Sequence, residues 1–125
     1  MIEVTGDLWT YRFPDGSRPN AVVLTTNGFV KKDGSAVMGR GCALEAARRI
    51  PGIQKRLGEG IRRYGNVPIS LGIHHGSEIF SFPVKHRWYE RADVNLIEQS
   101  ALLLMDLVDP LYPNDEGCCI LLPRP

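Results

Sequence analysis

The 125-residue sequence predicts an α/β domain built on a mixed sheet. Three observations lead there. Continuous apolar runs, Ala21 to Leu24 and Cys118 to Leu122, have the character of strands buried on both faces. Between them lie stretches whose apolar residues recur at i, i+3, i+4 and i+7, as amphipathic helices require. Two further strand-like runs flank His75-Gly76-Ser77, which reads as an antiparallel hairpin inside the alternating pattern.

Taken in order, Ile2 to Thr5 reads as a short strand closed by Gly6-Asp7, and Pro14 to Asn20 as a turn-rich connection. Ala21 to Thr25 is the next strand. It gives way to Thr26-Asn27-Gly28, a polar loop (Lys31, Lys32, Asp33, Gly34) and then Met38-Gly39-Arg40-Gly41-Cys42-Ala43, where a helix starts at about Gly41. Ala43, Ala46, Ala47 and Ile50 share one face of that helix, and Pro51-Gly52 ends it. A second helix places Ile53, Leu57, Ile61 and Tyr64 on one stripe and stops at Gly65-Asn66. Its Gly58 and Gly60 are unfavourable, each costing up to about 1 kcal/mol relative to Ala. Ile69 to His74 and Glu78 to Phe82 form the hairpin. Asp93 caps a third helix, with Val94, Ile97, Ala101, Leu104 and Val108 on its apolar face and Asp109-Pro110 at its end. Cys118 to Leu122 is the last strand, and only three residues follow it. Ligands of α/β sheets sit in the loops beyond the carboxyl ends of strands, so this strand has no loop to contribute.

Composition suits one soluble domain spanning residues 1–125: 43% hydrophobic, 23% charged, formal net charge +1. The charge argues neither for nor against nucleic acid. Three cysteines, two of them adjacent, do not make a disulfide framework, which points to a reducing, cytoplasmic setting. The N-terminus has no signal-peptide pattern, and no apolar run is long enough to span a membrane.

The chemistry concentrates between Asn27 and Ala47. A strand, a glycine-spaced loop and a helix N-terminus form an anion cradle, because glycines admit a ligand to the backbone and the first helical N–H groups are unpaired. The plainer reading of Gly39-Arg40-Gly41 is a tight turn. Cys42 at the helix start is either a reactive thiolate or a small residue where a ligand approaches. His74 and His75, adjacent on a strand, point to opposite faces, and no metal site is expected. Arg48, Arg49, Lys55, Arg56, Arg62 and Arg63 make either a solvated helical face or a phosphate-contacting patch. Trp88 and Tyr89 either pack on a ligand or cover the core.

Four segments, in order, carry a resemblance: Val4-Thr5-Gly6-Asp7-Leu8, Thr26-Asn27-Gly28, Val37-Met38-Gly39-Arg40-Gly41-Cys42-Ala43 and Leu122-Pro123-Arg124-Pro125. Together they resemble the macro domain family, most nearly the lysine-dependent branch with the terminal ADP-ribose protein glycohydrolase and the DNA ADP-ribosyl glycohydrolase antitoxins. The resemblance implies a three-layer α/β/α fold that binds ADP-ribose across the crest of a mixed sheet. Asp7, beside the Leu8 backbone, would accept a hydrogen bond from the adenine amino group, and Asn27 would contact the distal ribose. Backbone N–H groups of Met38, Gly39, Arg40, Gly41 and Cys42 would wrap the diphosphate and ribose, with no cofactor and no metal. Lys85 would attack the anomeric carbon. The implied function is binding of ADP-ribose and hydrolysis of ADP-ribosyl linkages on a modified protein or nucleic acid. Alternatives are a non-catalytic ADP-ribose module and an ADP-ribose 1″-phosphate phosphatase.

The sequence departs from the family in two ways. Leu24 stands where the better-known hydrolase branch begins Asn-x-x-Asn, so that branch's water-activating scheme is not expected. Family members also continue past Pro-Arg-Pro with a second glycine-rich loop, a helix and a final strand. The resemblance therefore implies a chain truncated at its C-terminus, with a gap between the strands at Ile2 and Cys118 and exposed edges open to self-association.

Overall fold

A computed structural model describes residues 2–3, 8–111 and 119–121. Eight elements follow one another: β1 (Ile2–Glu3), β2 (Ala21–Asn27), α1 (Gly41–Arg49), α2 (Ile53–Tyr64), β3 (Ser70–His74), β4 (Ser77–Lys85), α3 (Val94–Leu111) and β5 (Cys119–Leu121). The strands form one sheet in the order β1-β5-β2-β4-β3, parallel except for β3, which runs antiparallel to β4. The mixed sheet expected from the hairpin is therefore present. Its turn holds both His75 (φ 50°) and Gly76 (φ 84°) in the left-handed region, as tight two-residue hairpins require.

Alternation along β2 produces the layers. Val22 and Leu24 pack with Ala43, Ala46, Ile50, Ile53, Leu57 and Ile79 under α1 and α2, whereas Ala21 and Val23 pack with Phe80, Leu104 and Val108 under α3. Helices thus cover both faces of a sheet whose central strand β2 is buried except at Thr25. The apolar face expected for α1 is the one buried.

Four details differ from the sequence reading, each for a tertiary reason. First, α3 buries Leu96, Ser100, Leu104 and Val108, while Val94 is 68% exposed and Ala101 is also exposed. Ser100 Oγ donates to Pro83 O at 2.7 Å, turning a polar residue inward and rotating the stripe. The Asp93 cap is as expected, with Oδ1 accepting from Asn95 N at 2.9 Å, but the helix passes Pro110 and ends at Leu111. Second, Gly58 and Gly60 are not weaknesses of α2. A Cβ on Gly58 would lie 2.0 Å from Gly34 O, and one on Gly60 would lie 2.1 Å from Ile69 Cδ1. Gly58 lets α2 press against the loop leading to α1, where Ala36 N donates to Gln54 O at 2.8 Å, and Gly60 makes room for Ile69. Gly58→Ala should accordingly destabilise the domain by about 1–3 kcal/mol despite its better helix propensity, read as a lower denaturation midpoint. Third, β1 pairs directly with β5 (Ile2 with Cys119, Glu3 with Ile120), and β5 pairs with β2. The gap expected between the first and last strands does not exist. Fourth, Tyr64 ends α2 at 60% exposure, outside the buried stripe.

Candidate functional site

Two cavities of about 490 Å³ open on the described surface. One lies at the lateral edge of the sheet, lined by residues that include Gly60, Tyr64, Ile69 and Leu107. The other lies where β2 and β4 end. Its walls are Thr25, Thr26 and Asn27 of β2, Val84 and Lys85 of β4, Trp88, and the Val37–Gly41 segment with Ala43 of α1. Parallel α/β sheets place ligands beyond the carboxyl ends of their strands, so this second cavity is the candidate site.

Its loop is folded by its own polar residues. Asp33 Oδ1 accepts from Ser35 N (2.9 Å) and Ser35 Oγ (2.6 Å), and Lys31 N donates to Ser35 O at 2.8 Å. These bonds hold the Asp33 carboxyl below its usual range. Asn27, 8% exposed, ties the loop to the strand: Nδ2 donates to Val37 O at 3.0 Å and Oδ1 accepts from Phe29 N at 2.9 Å. One N–H and one lone pair of its amide are left for a ligand.

The loop delivers α1 with its N-terminus open. Arg40 is the N-cap residue, no side chain caps the helix, and no acidic residue occupies its first turn. The leading N–H groups and the positive end of the helix dipole are free to meet an anion. Gly41 sits at φ 57°, which disfavours any side chain there. Gly39 is a different case. Its φ is not positive and a Cβ there would meet nothing within 4 Å, so the fold itself does not demand glycine. Among the described residues, Arg40 and Lys85 are the charged ones in the lining, and no carboxylate is with them. A dihedral-restricted loop, open N–H groups and two cations suit a phosphate-bearing ligand.

Lys85 owes its position to a β-bulge. Thr26 pairs with Pro83 and Asn27 with Lys85, so Val84 is passed over and the end of β4 is re-aimed. Lys85 is thereby set opposite Asn27, half-buried, in the cavity wall. Asn66, in the turn after α2, supports it from behind. Its Nδ2 donates to Lys85 O at 3.1 Å and lies 3.2 Å from His86 Nδ1. Gly28 makes room for this amide, since a Cβ there would lie 2.7 Å from Asn66 Cγ. Asn66→Ala should leave these partners unpaired and lower stability by about 1–3 kcal/mol, measured by urea unfolding.

Of the residues expected at the site, Asn27, Met38, Gly39, Arg40, Gly41 and Lys85 are brought together. Met38 is 2% exposed, half wall and half core. Cys42 turns aside, its Sγ 3.5 Å from Thr25 Oγ1, and is not part of the lining. Leu8 is likewise outside it; its side chain is in the core and its carbonyl accepts from Arg18 Nη2 at 2.9 Å. Asp7 lies outside the described residues. Trp88, 45% exposed, stands at the cavity wall. Sequence reasoning passed over Asn66, Val84 and Thr26, whose buried hydroxyl has no protein partner. Asn66 carries no local signal beyond a turn, because its partners are twenty residues away.

The basic residues from Arg48 to Arg63 are largely occupied within the chain. Lys55 donates to Asp33 O, Arg56 to Leu71 O and Arg62 to Lys31 O, and Arg49 and Arg63 lie over the rings of Trp9 and Tyr64. His74 and His75 do not diverge as expected. His75 has left the strand for the turn, and the two rings meet edge to face with centroids 4.2 Å apart.

No family model and no curated protein matches the sequence. Solved structures do match. The chain is similar to the macrodomain of Thermus aquaticus DarG, with a TM-score of 0.70 and 20% identity over 98% of this chain and 97% of that one. The macrodomain of Mycobacterium tuberculosis DarG gives a TM-score of 0.70 at 18% identity, with the same coverage. A third match, Thermosipho africanus DarTG in complex with ADP-ribose, has a TM-score of 0.65 at 17% identity, covering 96% of this chain and 31% of that one. The fold is that of a macrodomain, an α/β domain with a mixed sheet and three helices.

Proposed function

We propose that this chain binds ADP-ribose in the cavity at the ends of β2 and β4, and that it releases ADP-ribose from a modified protein or nucleic acid. The observation that carries the reading is the uncapped start of α1, set behind two glycines that leave open space and facing Arg40 and Lys85. The diphosphate lies against the helix N-terminus, and the distal ribose reaches toward Asn27 and Lys85, which stand side by side across the bulge. The complex with ADP-ribose described for the Thermosipho africanus protein, which shares the fold, supports this choice of ligand.

Hydrolysis then follows covalent catalysis. The Lys85 amine attacks the anomeric carbon as the bond to the leaving atom breaks, and the proton that the attacking nitrogen sheds passes to the leaving atom. Water next replaces the lysine nitrogen on the same carbon, returning the amine and freeing ADP-ribose. The bulge supplies what this requires, a nucleophile fixed beside the ribose. Incubation with ADP-ribosylated protein and ADP-ribosylated oligonucleotide, with free ADP-ribose quantified over time, tests the proposal. Release from neither substrate contradicts the hydrolase reading.

One observation favours a second reading, a module that binds without turnover. The lining among the described residues offers backbone amides, an asparagine and two cations with no carboxylate, which is enough for binding alone. In that case ADP-ribose binds equally well and is never released from a substrate.

A further inference from the structure

At the other end of the sheet lies a hollow of about 350 Å³ lined by Trp9, Arg12, Arg49, His74 and His75. It is separate from the ADP-ribose cavity. Arg49 closes the helix that Gly41 opens, and the His75 turn precedes the strand that Lys85 ends. Nine helical residues at about 1.5 Å each put the two sites roughly 13 Å apart along α1.

We propose that this hollow binds a segment of single-stranded nucleic acid, its phosphate among Arg12, Arg49 and His75 and an unpaired base against the Trp9 and histidine rings. Three features point to that chemistry. Four basic side chains converge there, no carboxylate is among the described residues that line it, and the chain as a whole carries a net charge of only +1, so the concentration is local. The walls are aromatic and held in place. Trp9 Nε1 donates to Glu45 Oε2 at 2.6 Å, Arg49 lies 5.5 Å from the Trp9 ring centroid, and His74 meets that ring edge to face at 6.1 Å. Rings and guanidinium planes fixed beside a phosphate site are how unpaired bases are held without sequence preference. Finally, burial, then His75, Arg18 and Arg49, hold the His74 imidazole below its ordinary range. Glu45, held by Trp9, is the carboxylate at the edge of the cluster, and a phosphate would add negative charge facing the arginines. Duplex DNA keeps its bases stacked inside and offers only the backbone.

The test is fluorescence anisotropy of a labelled oligodeoxynucleotide of about twelve residues with the intact 125-residue chain. Arg12→Ala and His75→Asn alter exposed side chains away from the core, and Asn tolerates the left-handed backbone at position 75, so both variants should fold. Each is expected to weaken binding by about fivefold or more, with a smaller dependence on salt, since each removes a phosphate contact. Saturating ADP-ribose should leave binding unchanged, which separates this site from the other cavity whether or not that cavity works as proposed. The proposal is overturned by unaltered affinity in both variants, by displacement with ADP-ribose, by equal affinity for the duplex, or by polyglutamate binding as tightly as the oligonucleotide.

Discussion

Lys85→Ala should abolish release of ADP-ribose from a modified substrate, by about a thousandfold or more, while leaving affinity for free ADP-ribose within about tenfold. The asymmetry follows from position. In the proposed complex the ligand is held largely by the backbone from Met38 to Gly41, so losing the half-buried Lys85 amine removes one charge from the cavity wall. The proposed covalent step would have no substitute, because no other amine or thiol is in the lining among the described residues. Lys85→Arg should be equally inactive, since a guanidinium keeps the charge and does not lose its proton. Single-turnover release assays alongside titrations separate the two quantities. If Lys85→Ala retains turnover, the bulge at the end of β4 has some other purpose.

Gly39→Val should fold like the parent protein and lose ADP-ribose affinity by more than about tenfold. This position separates ligand demands from folding demands. A side chain at Gly39 meets no protein atom within 4 Å and needs no left-handed backbone, so thermal stability should move by no more than about 0.5 kcal/mol. The space it fills is the cavity itself. Gly41→Val should also block the ligand, but with a stability loss of about 1–3 kcal/mol from its positive φ, which makes it the less clean probe. Circular dichroism melts beside binding curves distinguish the two glycines. Unaltered affinity in Gly39→Val would place the ligand elsewhere.

Much of the architecture was legible because it is written locally. The apolar run of β2, the buried face of α1, the Asp93 cap and the His75-Gly76 turn all follow from residues within a few positions of one another. The glycine-spaced helix start was legible for the same reason, and it lies where it was expected. What escaped depends on distant partners. Gly58 looks like a poor helix residue until the Gly34 carbonyl is seen against it. The α3 stripe is rotated by one bond from Ser100 to Pro83. Adjacency of β1 and β5 is a property of register, which no segment reveals alone. Asn66 supports Lys85 across nineteen positions, and the bulge that re-aims Lys85 exists only in the pairing of two strands.

The central claim is that the cavity between β2, β4 and the start of α1 is an ADP-ribose site. Calorimetric titration with ADP-ribose, using AMP and ribose 5-phosphate as controls, tests it most directly. The account predicts binding at micromolar level, on the order of −8 kcal/mol, with each control weaker by about tenfold or more because it engages only half of the cavity. A folded protein that binds none of the three, or prefers AMP to ADP-ribose, would contradict it.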